Sequence, residues 1–591
     1  VFGGGKNANS EYLESIAKGG DVKVNIKDSH IQGNVYGSGM GMSQTVEYLD
    51  VMNHAPSNWW DSSSYPTLYY PKGWEYPLGY DTDGNLDSTQ QYYYPKYDNE
   101  SGYVLVGASK SVSWSSFTPT TLSFRVNRMY AYLSLATVQN VEINIDESEI
   151  GTSTNGKGNV YGGGSIAKVL GNTEINITGD QTKIHGSVYG GGDGVSIPDS
   201  VIVYKALSKT GYKMPSYTID SLVAGIPALT TSAESPTYSK STYGKFTWSN
   251  DKSLLDSETP GIDLDKKLLY SENTIGLGNV QGNTSVNISG GKISGNIFGG
   301  GNKGIVEGDT NLTISGNVTA SYVYAGCNQA DVGGNITLNI QGGIITNAFG
   351  GNNLSGDVKG NVSVNMTGGN VTNLYGASNK APDNFSTSIE IQGGKITNLF
   401  GGGLEASVGE VNITTNSGVE ITNLFGGGDL GATLGNITIN SSANVETLYG
   451  GANKADVTGN ITLNINNGII TNAFGGNNLE GNVSGNVFVN VLGGEISYLY
   501  GAGNKAPDDY ISTLNILNGK VDNLFGGGLE ASVQEVNIKT NAGVIIKNLF
   551  GGGDAGNTTG NIIIDTSANI ENIYSGANQA NVGGNISLTI N

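Results

Sequence analysis

Cysteine is almost absent from this chain: Cys327 is the one in 591 residues, so no intrachain disulfide can form. Arginine is nearly as scarce, with Arg125 and Arg128 alone, against 51 acidic residues and a net charge of −21. An acidic, arginine-poor surface argues against nucleic acid and anionic membranes as partners. It suits a solvated extracellular or cell-surface protein. Histidine is limited to His30, His54 and His185. No GxSxG, HExxH, CxxC or phosphate loop occurs, and the wall positions of the repeat described below show no stacked carboxylates and no arginine. The chain is therefore read as not an enzyme, and a polysaccharide-active enzyme is the least supported alternative. No apolar run approaches the length of a membrane-spanning helix.

What the chain has instead is glycine, 92 residues of it, set at regular intervals. The segment from Gly334 reads GNITLNIQGGIITNAFGGNNLSGDVK, and the one from Gly459 reads GNITLNINNGIITNAFGGNNLEGNVS, 125 residues later. A third start, GNISLTIN, opens at Gly584, another 125 on. Within each stretch an aromatic followed by glycine recurs at Phe349, Tyr375, Phe400, Phe425, Tyr449 and Phe474, with gaps of 26, 25, 25, 24 and 25. Five units of about 25 residues thus make one superrepeat, and it occurs twice in full. A fixed period of this size denotes a solenoid.

One unit explains the fold class. In Asn335–Ile340 the aliphatics Ile336, Leu338 and Ile340 alternate with polar residues, which marks a strand with one buried face. Gly342 and Gly343 turn the chain, a second run ends in an aromatic, and a looser third part holds one aliphatic (Val332, Val358, Val408, Leu434, Val457, Val483). Such a unit cannot bury its own face, but stacked at about 4.8 Å it can. The expectation is an all-β parallel β-solenoid (β-helix). Aliphatic columns fill its axis, the Phe/Tyr column stacks, and the Asn column forms an amide ladder. Glycine at this density excludes a helical solenoid. Cys327 falls in the column of Ala452 and Ala577 and reads as a small wall residue.

Taken in order, residues 1–43 are solenoid and 44–140 break the beat with four of the five tryptophans and 13 of the 31 tyrosines. Residues 141–193 resume it, 194–275 form a second insertion, and 276–591 run unbroken. Sixteen aromatic-glycine corners, from Phe2 to Tyr574, predict a rod on the order of 75 Å. The chain opens mid-unit on VFGGG and closes mid-unit on GNISLTIN. It is read as a piece of something longer, or as a subunit whose ends meet other copies, head to tail or side by side.

Four features bear on ligands. Trp59, Trp60, Tyr69, Tyr70, Trp74, Tyr76, Tyr92, Tyr93 and Tyr94 form an aromatic cluster suited to stacking on sugars or anchoring a surface protein; packing as the insertion's own core is the other reading. Asp81, Asp83, Asn85 and Asp87 place oxygens at alternate positions, as a calcium loop would, although Tyr92 stands where the bidentate Glu of an EF-hand belongs. A polar turn is the competing reading, and calcium is the one cofactor considered. The GGGD corners at Asp193, Asp429 and Asp554 lack the frame of calcium-binding nonapeptides. A threonine ladder (Thr346, Thr372, Thr397, Thr422) raises ice binding but breaks at Glu446, Ser497 and Asp522.

The corners NVYGGG (Asn159), NIFGGG (Asn296), NLFGGG (Asn398, Asn423, Asn523, Asn548) and YGGANKA (Tyr449), joined by GNITLNI strands, resemble repeat regions of large adhesin-like cell-surface proteins of anaerobic gut bacteria and related microbes. The resemblance covers the solenoid parts and neither insertion. It implies a secreted or wall-attached structural protein, a stalk or filament that holds an interaction module away from the cell. The alternative it leaves open is an adhesin that binds glycan or a host protein through the insertion at 44–140.

Overall fold

The computed structural model describes residues 1–5, 20–41, 138–152, 158–194, 278–381, 385–506 and 510–591, together with the backbone of isolated strands between 42 and 268. It is all-β, a parallel β-solenoid. The chain divides into two compact units. One comprises Val1–Met40, Ala136–Gly194 and Gly278–Asn591, and the other Gly41–Leu135 and Val195–Leu277.

The first unit is the solenoid. The alternating runs predicted as strands are strands: Ile336–Ile340, Val362–Met366 and Ile461–Ile465 all bury their first, third and fifth residues. They stack in chain order into a 16-stranded parallel sheet running from Val22–Lys27 to Ile586–Ile590. Register is exact in type: Ile336 lies on Val362, Leu338 on Val364 and Ile340 on Met366. This is the reason for the repeat, because each inward aliphatic is covered by its counterpart one rung away.

The second runs form a 19-stranded parallel sheet. In the early rungs each run is split into two short strands, such as Lys292–Ile293 and Ile297–Phe298. Both pair with the single strand Thr319–Tyr324, which has one residue fewer between its ends. From there on the strands are continuous six-residue runs. Their inward residues are the second and fifth, as Ile345 and Ala348 show. Thr346 and Asn347 both face outward, and the pairing register skips the threonine. The period of two therefore fails here, in the manner of a bulge that re-aims the strand end. That leaves the terminal aromatic off the aliphatic axis.

The turn between the two sheets needs left-handed backbone. Gly343, Gly369, Gly394, Gly418, Gly468, Gly494, Gly519 and Gly543 all occupy it with φ between 83° and 102°, where a Cβ would be strained. The third side is not a sheet but single bridges: Val306 on Val332, Val332 on Val358, Val457 on Val483. Here one expectation is corrected. Thr433, not Leu434, occupies the column between Val408 and Val457, and Leu434 is 47% exposed. The backbone bridges fix the register at Thr433, so the aliphatic falls one position late and points outward.

Two apolar clusters result. One is the aliphatic axis, which also encloses Cys327 as a wall residue. The other is the aromatic column, stacked from Phe2 to Tyr574 with centroids 4.7–5.0 Å apart along the column. Its interior rings are buried under the corner loops, with Leu404 and Leu529 packed against them.

In the second unit the backbone of Met42–Asp50 pairs antiparallel with both Tyr69–Pro71 and Arg125–Leu133. Tyr92–Asp98 and Gly102–Ala108 form a separate antiparallel pair.

Candidate interaction faces

The glycine corners, where a calcium frame is lacking, carry a part-buried hydrogen-bond network. Asp429 accepts an Nδ2–H bond from Asn453 (2.7 Å), Asn453 accepts one from Asn478 (2.8 Å), and Asn478 one from Asn504 (2.9 Å). The N-terminal ladder runs the same way from Asp193 through Asn302, Asn328 and Asn353 to Asn379. A third starts at Asp554 with Asn578. An Asn that donates to the rung before it must accept from the rung after it, so the ladder has a direction. Asp, which only accepts when ionised, is the residue that can start it. Leu404 and Leu529 end it, and the Oδ1 atoms of Asn379 and Asn504 beneath them are buried without a partner. Among the described residues no three His, Cys, Asp or Glu side chains converge as metal ligands.

Cys327 belongs to the same corner. Its Sγ accepts the Gly301 N–H at 3.2 Å and its own N–H donates to Asn352 Oδ1 at 2.7 Å. Complete burial pushes the thiol pKa up to about 12, which keeps it protonated and unreactive at neutral pH.

The outer face of the first sheet is built from the second and fourth residues of each strand. Over the eight strands from Thr284–Ile288 to Ile461–Ile465, fifteen of these sixteen residues are Ser, Thr or Asn, and the other is Glu390. Their amides are laddered here too, for example Asn365 Nδ2 to Asn339 Oδ1 (3.1 Å) and Asn464 Nδ2 to Asn440 Oδ1 (2.9 Å).

The outer face of the second sheet differs. It carries the predicted amide ladder, with Asn373, Asn398 and Asn423 each donating to the rung before at 2.8–2.9 Å. Beside it run the threonines Thr346, Thr372, Thr397 and Thr422, then charges, including a Lys395–Glu420 ion pair at 3.1 Å. Two shallow open grooves recur on this face 125 residues apart: one of about 290 Å³ at Lys395, Glu420 and Asn444, the other of about 780 Å³ at Lys520, Ile545 and Asn569. Both lie at the shortest rung of the superrepeat.

Two of the three histidines meet one carboxylate. His30 Nδ1 lies 3.1 Å from Glu149 Oε2, and His185 Nε2 lies 2.6 Å from Oε1. The His185 hydrogen bond, followed by that of His30, lowers the Glu149 pKa. The sequence reading missed this cluster, although aligning the rungs on their Val-Tyr-Gly corners would have found it.

Of the residues singled out in the first insertion, Tyr69 and Tyr70 lie on the strand Tyr69–Pro71, and Tyr92, Tyr93 and Tyr94 on Tyr92–Asp98, in two different sheets. Trp59, Trp60, Trp74, Tyr76, Asp81, Asp83, Asn85 and Asp87 lie outside the described residues.

The fold and these faces define a β-solenoid repeat protein. Comparison with protein-family models, with curated proteins and with solved structures gave no match for the chain.

Proposed function

We propose that this chain is a structural protein of an extracellular or cell-surface assembly, a stiff solenoid spacer that carries its insertions as variable surface. The observation that supports this reading is the continuity of the rung-to-rung ties. Two parallel sheets, a stacked aromatic column and directional amide ladders join each rung to the next through Asn591. Several independent ladders resist sliding and bending together, which one sheet would not. The acidic, arginine-poor composition and the resemblance of the corners to surface-protein repeats support the location.

The test is pulling on single molecules between surface attachments. A rung of about 25 residues releases roughly 80 Å when it unravels, at about 3.4 Å per residue less one strand spacing. Expected is a series of force peaks spaced by multiples of that length. A featureless ramp at low force would overturn the spacer reading. Surface labelling of intact producing cells tests the location, and a label confined to lysed cells would refute it. The same translational pairing that adds one rung to another would let copies continue the column head to tail, and sedimentation over a concentration series reads that self-association.

A further inference from the structure

The outer face of the first sheet differs from the rest of the solenoid in charge. Between Thr284 and Ile465 the chain holds 18 charged residues, and only Glu390 lies among the sixteen outward positions of these strands. In a protein of net charge −21, this stretch of wall is left neutral while the corners and the other sheet take the charge. The same face grows charged and apolar beyond those rungs. Glu142 and Glu174, register partners on adjacent rungs and so a stacked carboxylate pair that the sequence reading did not expect, precede it, and Phe488, Lys539 and Ile563 follow.

What fills the neutral stretch has spare hydrogen-bonding capacity. A laddered Asn uses one N–H and one carbonyl lone pair on its neighbours, as Asn464 does in donating to Asn440 and accepting from Asn490. Its second N–H and second lone pair remain available. Ser and Thr hydroxyls add a donor and acceptors each. Where the amides are bonded across rungs, as Asn365 to Asn339 and Asn464 to Asn440, their rotamers are fixed and little of their side-chain entropy is lost on binding. The pattern repeats at each rung, about 4.8 Å along the axis. A protein partner fits this surface poorly, because it offers no aromatic or arginine anchor.

We propose that this face binds an extended, uncharged polysaccharide laid along the solenoid, each sugar meeting one or two rungs through hydroxyl and amide contacts. The proposal goes beyond the spacer reading and stands or falls without it.

The experiment is co-sedimentation of the full chain with insoluble cellulose, chitin and β-1,3-glucan, with alginate beads as an anionic control. Expected is retention on at least one of the neutral polymers, unchanged by high salt, and none on alginate. Ser363→Glu with Asn412→Glu places two carboxylates on the face two rungs apart, and should weaken retention tenfold or more. Thr346→Glu with Thr397→Glu adds the same charge to the other sheet and should leave retention unchanged. Protease resistance of the solenoid confirms that both variants fold. Failure on all three neutral polymers overturns the proposal. So does retention that Ser363→Glu/Asn412→Glu leaves intact, which would move binding elsewhere. Self-association abolished by that variant, with no polysaccharide retention, would assign the face to a second copy and overturn it as well.

Discussion

Replacing Phe425 by alanine tests whether the aromatic column acts as a structural element of the rung stack. Its ring is 6% exposed and lies between Phe400 at 4.7 Å and Tyr449 at 4.9 Å, with planes within 5°. Truncating a buried Phe costs about 3–5 kcal/mol. Of that, two stacked faces account for roughly 1–3 kcal/mol, at about 0.5–1.5 each. In a quasi-one-dimensional stack the loss should stay local, weakening the rung and its two interfaces. All five tryptophans lie in the insertions, so their fluorescence would report the wrong unit. Amide hydrogen exchange read by mass spectrometry reports each rung separately. Expected for Phe425→Ala is exchange faster by about two to four orders of magnitude in Glu420–Phe425 and the adjoining strands, with Ile562–Thr566 unchanged. Phe425→Tyr should be nearly neutral, since the column mixes both rings. Phe425→Leu should fall between, having kept burial and lost the stacking. A neutral Phe425→Leu would refute the stacking argument, and acceleration spread evenly over all rungs would refute the one-dimensional one.

Gly418→Ala and Gly394→Ala separate two costs at equivalent turns, both with positive φ. At Gly418 a Cβ meets nothing within 4 Å, so only the left-handed strain of about 1–2 kcal/mol applies. At Gly394 it meets Gly369 O at 2.7 Å as well, so its thermal midpoint should fall further, and equal shifts would refute the packing argument. Leu404→Asn should cost less than Leu404→Ala by about 1–3 kcal/mol in denaturant titration, because its amide would reach the orphaned Asn379 Oδ1; an Asn variant no better than Ala would show that atom needs no partner. Burial raises the pKa of the column tyrosines, Tyr324 and Tyr500 to about 12. A raised folded pKa gives stability that is full below the unfolded value near 10 and declines as pH rises toward 12. Tyrosinate absorbance should therefore appear in two phases, the later coinciding with loss of β-sheet circular dichroism, and a single phase near 10 would contradict the buried column. Glu149→Gln should remove a contribution present at neutral pH and lost as acid protonates the depressed carboxylate, read as a flatter acid limb in stability against pH.

Much of this fold could be read from spacing alone, because stacking makes each rung repeat its neighbour's constraints. The alternation in Asn335–Ile340, the aromatic beat and the Asn column all carry one physical demand per position. What could not be read depends on geometry across rungs or on local backbone. Leu434 looks like the column aliphatic, yet bridging places Thr433 there and turns the leucine out. The second strand buries positions two and five, so counting by twos from Ile345 would turn Asn347 in and Ala348 out. The His30–Glu149 contact and the Asn176–Asn287 bond span 119 and 111 residues because insertions separate those adjacent rungs, and His185 joins the first from 36 residues on, one long rung away. The neutral face emerges only when the strands are laid in register.

The 125-residue superrepeat has a physical reading beyond duplication. A rung-to-rung amide ladder in which every Asn donates in the same direction leaves one unmet acceptor at its far end. That debt does not grow with length, so length alone sets no period. Starting does: the first amide needs an acceptor below it, and Asp429 and Asp554, each following a leucine rung, supply one. Leucine at 404 and 529 closes the ladder before it and packs its side chain against the aromatic column instead. The stretch from Asp429 through Asn453, Asn478 and Asn504 to Leu529, 125 residues after Leu404, is therefore one complete sequence of acid, three asparagines and a leucine. The unit that was copied is thus one that opens and closes its own part-buried polar network. Copies of it can be stacked without leaving a ladder that lacks a start, and the longer N-terminal ladder, with four asparagines between Asp193 and Leu404, keeps the same acid start and leucine end.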